Sequence, residues 1–317
     1  MKFEGKQIDL EKYSLYDEWR KGIFEYRAKN PINLDSREND NSFFLKRTIW
    51  RADIHIGELL GYIIGDAIGV KVCKAEMYKK ELLKPGKYDL GIMSYVSKNQ
   101  YDRLVPPKSI VKDYIQKQGR NKDDAYLADI DTIINSIYSY MNKCNRPYQE
   151  FLDLKQDFIN MVVFDIKYLN TDRTLENWFI RKNEKTGEID LYPMFDNEMI
   201  LGFDEDVSSK DLTESEIEKL DKNKTSAIVT PTDSIKGKKY SNYEDLMKHL
   251  LVKYPKQTKK ALELTSKLSL NDLEKILEEI EGISLQRKQR VTKLFEKRED
   301  RINTIYREYE KEEKERN

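Results

Sequence analysis

The sequence predicts an α+β fold in two lobes, a small β-containing N-lobe over residues 1–97 and a mostly helical C-lobe over 98–317. Three observations carry that expectation. The stretch up to Val96 reads as strand, long helix, strand, turn, strand. From Ser109 onward, apolar residues recur at helical spacing almost to the end. A single hairpin interrupts those helices, and polar residues stand at both of its ends.

The elements follow in order. Residues 1–40 are polar and weakly periodic. Tyr13, Tyr16, Trp19, Ile23, Phe24 and Tyr26 supply a helix face, and Lys29 to Asn41 reads as loop. Ser42 to Lys46 is a short strand that ends at the lysine. A helix runs from about Asp53 to Gly69, because Leu59, Leu60, Ile63, Ile64, Ala67 and Ile68 recur at three and four. Gly69 stands where a terminating glycine is expected, and Gly65 reads as helix packing. Val70 to Tyr78 alternates as a strand does. Lys84-Pro85-Gly86-Lys87 is a turn, and Tyr88 to Val96 is another strand.

Asp124 to Met141 carries Leu127, Ile130, Ile133, Ile134 and Ile137 on one face, until Asn145-Arg146-Pro147 breaks the helix. Tyr148 to Leu169 resumes it and delivers the chain into Asn170-Thr171-Asp172. Residues 204–239 are acidic and polar, a long loop with one short helix. Helices over 242–253, 256–268, 270–281 and 284–312 complete the chain. Ser269 caps the third and Gly282 separates it from the fourth. Leu285, Val291, Leu294, Ile302 and Ile305 stripe the last.

Composition excludes several functions. Charged residues make up 36% of the 317, with 57 Lys+Arg against 57 Asp+Glu, so net charge gives no argument for direct nucleic-acid or acidic-membrane binding. Cys73 and Cys144 are far apart, which argues against a disulfide framework and for a reducing, cytoplasmic compartment. His55 and His249 are too few and too separated for a zinc site. The charged start is no signal peptide. The longest apolar stretch, Leu59 to Val72, is interrupted by Asp66 and Lys71 and is too short for a membrane span.

The chemistry concentrates in residues 170–198. Asp172 and Asn177 precede a strand-like run, Trp178 to Arg181. Asn183 to Gly187 forms the turn, and Ile189 to Met194 returns to Phe195-Asp196-Asn197-Glu198. The ends of a hairpin lie together, so Asp172, Asn177 and Asp196 converge. Asp and Asn are common in turns, and the pair alone would read as a surface turn. Asp196 at the far end, with Trp178 and Phe195 as apolar neighbours, points instead to phosphoryl transfer. That chemistry needs one Asp to orient a hydroxyl, and an Asn and an Asp to hold Mg²⁺. Asn197 and Glu198 read either as partners behind the metal ligands or as exposed residues. Tyr95 and Trp178 read as core.

The two-lobed layout and the Asp-x-x-x-x-Asn spacing are those of a protein kinase. More narrowly, the chain resembles the HipA-like serine/threonine kinases and their short CtkA-type members, whose signature is related to that of phosphatidylinositol 4-kinases. The residues that carry the resemblance are Glu58 with LLGYIIGDAIGVKV, Ser94-Tyr95, DIKYLNTDRTLENW from Asp165 to Trp178, and PMFDNE from Pro193 to Glu198. It implies ATP and Mg²⁺ as cofactors. Asp172 would orient or deprotonate the acceptor hydroxyl, with Arg173 and Asn170 bracing its loop, and Asn177 and Asp196 would hold the metal. Lys46, held by Glu58, would contact the α- and β-phosphates. Adenine would lie against the backbone of Met93, Ser94, Tyr95 and Val96. The resemblance also implies a protein substrate, a toxin-like or regulatory role with an antitoxin or regulatory partner, and autophosphorylation at Ser36 or Ser42.

The chain departs from that pattern in two places. Thr174 stands where the family usually has His. No glycine occurs over residues 27–41, so no glycine-rich phosphate loop precedes Lys46, and the backbone amides of Asn33 to Asn41 are the candidates to cover the phosphates. A nucleotide-binding pseudokinase or interaction module, and a small-molecule or lipid kinase, are the competing readings.

Overall fold

The N-terminal sequence builds five strands rather than three. The computed structural model describes residues 13–20, 23–28, 42–47, 54–81, 88–95, 101–121, 128–203, 213–223 and 225–316. Side chains before Ile56, at 78–81 and 88–91, and at Met93 and Asn223 stand outside that description. Strands β1 (Tyr13–Arg20), β2 (Ile23–Ala28), β3 (Ser42–Arg47), β4 (Ala75–Glu81) and β5 (Tyr88–Tyr95) form one antiparallel sheet in the order β1-β2-β3-β5-β4. The expected helix face from Tyr13 to Tyr26 is therefore corrected to a hairpin. The register of β1 shifts between Leu15 and Asp17 and again between Glu18 and Arg20. Each bulge inserts a residue, so the strand repeat lengthens toward the spacing of a helix. Aromatic and β-branched residues favour the strand.

Helix α1 (Ile54–Ile68) ends at Gly69, whose φ is +82°. It holds Gly57, Gly61 and Gly65 on one face. Each glycine costs a helix about 1 kcal/mol relative to alanine, and close packing offsets that cost. A Cβ on Gly57 would stand 2.3 Å from the carbonyl oxygen of Glu198, one on Gly61 2.5 Å from Cβ of Asn197, and one on Gly65 2.3 Å from Val72. The strand expected from Val70 begins only at Ala75. Lys71 to Cys73 instead joins the hairpin region: the Met194 amide donates to Lys71 O at 2.8 Å, and the Cys73 amide donates to Met194 O at 2.7 Å. The turn expected at Lys84–Lys87 lies outside the described residues.

An unanticipated strand, β6 (Asp102–Val105), pairs with β7 (Ile180–Asn183), which pairs with β8 (Ile189–Leu191). β7 starts two residues later than expected because Trp178 is buried, its ring 5.0 Å from that of Phe158. Between β6 and β7 run α2 (Pro107–Lys117), α3 (Ile130–Lys143) and α4 (Tyr148–Tyr168). The Asp129 side chain caps α3 by accepting from Thr132 N at 2.9 Å, which fixes a start later than Asp124; residues 122–127 lie outside the described ones. α4 is the axis of the helical part. Phe158, Met161, Val163, Phe164 and Ile166 are fully buried along it.

After a short 3-10 turn, Ile200–Gly202, come α5 (Glu214–Asn223), β9 (Thr225–Ser226), α6 (Pro231–Ile235) and β10 (Ser241–Asn242). The stretch expected to hold one short helix thus holds two, and residues 204–212 lie outside the described ones. Helices α7 (Tyr243–Lys253), α8 (Pro255–Thr265), α9 (Leu270–Glu279) and α10 (Leu285–Arg316) close the chain. Ser269 and Asp272 form a reciprocal cap on α9. Leu285 is a correction. It is 63% exposed, and Phe295 joins the buried stripe of Val291, Leu294, Ile302 and Ile305 in its place. No described helix is long and apolar enough to cross a membrane.

Candidate active site

α4 stops at Leu169, a non-glycine residue with φ +58°. That left-handed backbone costs about 1 kcal/mol or more. It turns the chain sharply, and Asn170 N donates back to Asp165 O at 2.9 Å. The next residues wrap around Arg173, which is 1% exposed. Its Nε donates to Asp165 Oδ2 at 3.0 Å and its Nη2 to Asp165 Oδ1 at 3.2 Å. Nη1 reaches the carbonyls of Asn177 at 2.8 Å and Phe195 at 2.7 Å, and Nη2 reaches Asn197 Oδ1 at 2.5 Å. A single side chain thus fastens α4, the loop after it and the loop after β8. Asn170 adds a bond from Nδ2 to Asp165 Oδ1 at 2.9 Å.

Glu58 does the same from α1. It is buried, and its carboxylate accepts from the amides of Asp196 (3.1 Å) and Asn197, and from Ser94 Oγ at 3.2 Å. The glycine face of α1 lets the chain at Asn197 and Glu198 lie flat on the helix. Asp196 itself has φ +58° and Leu201 +49°. Among the described residues, three of the four non-glycine positive-φ positions, Leu169, Asp196 and Leu201, therefore flank this site, the fourth being Asn145. Strain of this kind persists where surrounding structure over-determines it.

Between the two clamps, Asn177 Nδ2 donates to Asp172 O at 2.5 Å and to Asp172 Oδ2 at 3.0 Å. This orients the amide and leaves Asn177 Oδ1 facing away from its donors. Asp172 is half-buried, and burial, then the charge of Asp196, push its carboxyl above the usual range. Burial likewise pushes Asp165 up against the pull of Arg173. For Arg173, burial pulls down, but the Asp165 carboxylate and the nearby Asp196 and Glu58 hold the guanidinium above its ordinary value. The donor set fits a small hard cation. Asn177 Oδ1 and the Asp196 carboxylate are the oxygen ligands Mg²⁺ takes alongside phosphate and water, and a loop with Asp172 close by needs a counter-charge.

The structure thus brings together Asn170, Asp172, Arg173, Asn177, Asp196 and Glu58. Ser94 also reaches this cluster, through Glu58. Tyr95 does not; its hydroxyl donates to Glu76 Oε2 at 2.6 Å. Met93, Ser94 and Tyr95 lie in β5 between β3 and β4, with their main chain engaged in the sheet. Val96 lies outside the described residues, as does the side chain of Lys46, whose backbone pairs with Ile92. Ser36 lies outside them, and Ser42 is described only as backbone of β3. Sequence reasoning left Asn197 open between a partner behind the metal ligands and an exposed residue, and it is buried against Arg173. Asp165 was given no role, and the glycine face as a whole was missed. The four-residue spacing of Gly57, Gly61 and Gly65 was the available signal for the last.

No protein-family model matches the sequence, and no curated protein matches it. Solved structures do. The Helicobacter pylori proinflammatory kinase CtkA superposes with a TM-score of 0.66 at 16% identity, over 94% of this chain and 97% of that one. HipA from Shewanella oneidensis MR-1, solved with HipB and operator DNA as a toxin–antitoxin system, gives 0.50 at 12% identity, over 84% of this chain and 60% of its own. The chain spans only that 60% of HipA's length. At these identities the likeness establishes a kinase-like fold, and it agrees with the family resemblance read from the motifs.

Proposed function

We propose that this chain is an ATP- and Mg²⁺-dependent serine/threonine protein kinase of HipA-like type. The observation that supports it best is the convergence of Asp172, Asn177 and Asp196, clamped from one side by Arg173 and from the other by Glu58. In this reading Asp172 takes the proton of the acceptor hydroxyl as that oxygen bonds to the γ-phosphorus, and ADP departs with the electron pair of the broken bond. Its raised carboxyl suits a base, since proton affinity closer to the working pH improves transfer. Asn177 and Asp196 hold Mg²⁺, which supplies neutralisation of the phosphate charge when bound. Lys46, on β3 beside β5, contacts the α- and β-phosphates. Adenine lies against the main chain that leaves β5 at Tyr95 and Val96. The lobes divide at residues 97 and 98.

The acceptor is a protein hydroxyl, in a cytoplasmic setting, with an antitoxin or regulatory partner of the kind that accompanies HipA. A pseudokinase is the competing reading, favoured by the absence of glycine over residues 27–41. Labelled ATP with Mg²⁺ separates the two. Wild type is expected to label itself or a generic protein acceptor, and Asp196→Ala to abolish labelling. ATP binding in calorimetry without any transfer would favour the pseudokinase, and the absence of both would end the kinase reading.

A further inference from the structure

The short helix α6 is built inside out. Asp233, in its middle, is buried, and Ile235, its last residue, is 87% exposed. Apolar side chains ordinarily take the covered face of a helix, and carboxylates the wet one. The inversion has a local cause. Asp233 Oδ2 accepts from Ser241 Oγ at 2.6 Å, and Oδ1 lies 2.8 Å from Lys238 Nζ. Thr230 caps the helix by accepting from the Asp233 amide at 3.2 Å, and its own amide donates to Ser241 Oγ at 2.8 Å. Strands β9 and β10 close the base, with Ser241 opposite Ser226. The carboxylate turns inward to fasten the loop, and the isoleucine is left outside.

The loop so fastened is a ridge. Residues 235–240, Ile-Lys-Gly-Lys-Lys-Tyr, are all exposed. Gly237, with φ +69°, turns the chain at the tip, and a Cβ there would meet nothing within 4 Å. Tyr240, at the far end, is 54% exposed. Lys236, Lys238 and Lys239 stand between the two rim residues, and the stretch holds no carboxylate. Lys238 is answered by the buried Asp233 and by the nearby Asp245 of α7. Lys236 and Lys239 are left to solvent. The balanced charge of the whole chain hides this local excess.

The ridge selects among anionic partners. A phosphate backbone matches the lysines but offers nothing to an isoleucine at the apex. A small ligand needs a concavity. A bilayer with acidic headgroups matches every part, since lysines meet its charge, an aliphatic chain enters the acyl boundary and a tyrosine sits at the interface.

We propose that loop 235–240 is a docking surface for an anionic lipid bilayer, with Ile235 entering the headgroup region and Lys236 and Lys239 meeting acidic headgroups. Ser241 and Asn242 join the loop to Tyr243, whose hydroxyl donates to the carbonyl of Asn170 in a short hydrogen bond. The loop therefore springs from the same end of α7 as the one that meets the Asp172 loop, and docking brings the candidate active site toward the lipid.

Co-sedimentation of the full chain with vesicles tests this, at millimolar lipid because one small loop anchors weakly. Wild type is expected to partition onto vesicles of equal parts phosphatidylserine and phosphatidylcholine, and not onto phosphatidylcholine alone. High salt should release it. Lys236→Ala with Lys239→Ala should weaken partitioning about 25-fold, at about fivefold per lysine. Ile235→Ser should weaken it about tenfold. Ile235→Trp should add a blue-shifted emission with the mixed vesicles only, which adsorption by charge alone would not give. These positions are exposed, so urea unfolding of each variant should match wild type, which separates lost docking from a lost fold. Equal partitioning on the two vesicle types, no partitioning on either, or partitioning that the lysine and isoleucine variants leave unchanged overturns the proposal. So does binding of soluble polyglutamate as tight as that of the mixed vesicles and blind to Ile235→Ser, which would assign the loop to an acidic protein. No arm needs phosphate transfer, so the result reads the same if the kinase reading fails.

Discussion

Arg173 and Arg298 are both buried beside an aspartate, Asp165 for the first and Asp221 for the second, yet their surroundings differ. Arg173 spends its whole donor set on five bonds, two to Asp165, two to main-chain carbonyls and one to Asn197. Arg298 keeps an unmet Nε. The electrostatics follow. Carboxylates hold Arg173 above its ordinary value in spite of burial, whereas burial outweighs Asp221 and pulls Arg298 below it. A saturated arginine makes a rigid joint, and Arg173 builds the site from segments that are all within it. An arginine with an unmet buried donor has more of its burial cost left uncompensated.

The largest effect expected from that contrast is at Arg173. Arg173→Met leaves Asp165 buried without its cation and should cost about 3–5 kcal/mol in urea unfolding. Arg173→Lys keeps charge but not the planar fork, and should recover only part of it. A smaller cost at Arg173 than at Arg298 would reverse the comparison.

Gly61→Ala comes next. Its methyl meets Asn197 Cβ, an Arg173 partner, so the metal loop must shift. A loss of about 1–3 kcal/mol is expected, with Mg²⁺-dependent transfer falling further than stability. An unchanged enzyme would mean that α1 and the loop are not fused.

The double variant Asp221→Leu/Arg298→Met sharpens the contrast from the other side. Asp221 also accepts from Arg301 Nε at 2.6 Å, so the double variant removes one of Arg301's partners along with the pair. It should still cost less than the loss expected at Arg173, below about 3 kcal/mol. A loss as large as that of Arg173→Met in urea unfolding would remove the contrast between the two arginines.

The smallest effect is on pH. The Asp172 carboxyl is raised in the folded chain, by burial and then by Asp196. Its contribution to stability is therefore present below the unfolded carboxylate value and lost as pH rises through the folded one. At neutral pH Asp172→Asn should unfold no more easily than wild type. The acid limb of the transfer rate should lie above the usual carboxylate range, and a limb within that range would contradict the raised Asp172 carboxyl.

The contrast also marks what the sequence made legible. Asp172, Asn177 and Asp196 could be brought together from the hairpin alone, because turn geometry fixes where its ends meet. The helices from Tyr243 onward were legible for a similar reason, since apolar spacing and the Ser269 cap are local. Arg173 is legible only in part: its neighbours in sequence are in the site, but Asp165 lies near the end of α4 and inside an apolar run. Arg298 was not legible, because its partners are 55 to 77 positions away along the chain. In a helix so rich in charge, nothing marks one arginine as buried. β1 and β2 were misread because two bulges gave a strand the spacing of a helix.

One measurement bears most directly on the site as a whole, calorimetric titration of Mg²⁺–ATP into Asp172→Asn alongside its rate of label transfer. Asn preserves the bond to Asn177 and removes the base, so binding should match wild type while transfer falls about 10²–10⁴-fold. Transfer that survives the substitution would contradict the account, and so would loss of nucleotide binding together with transfer.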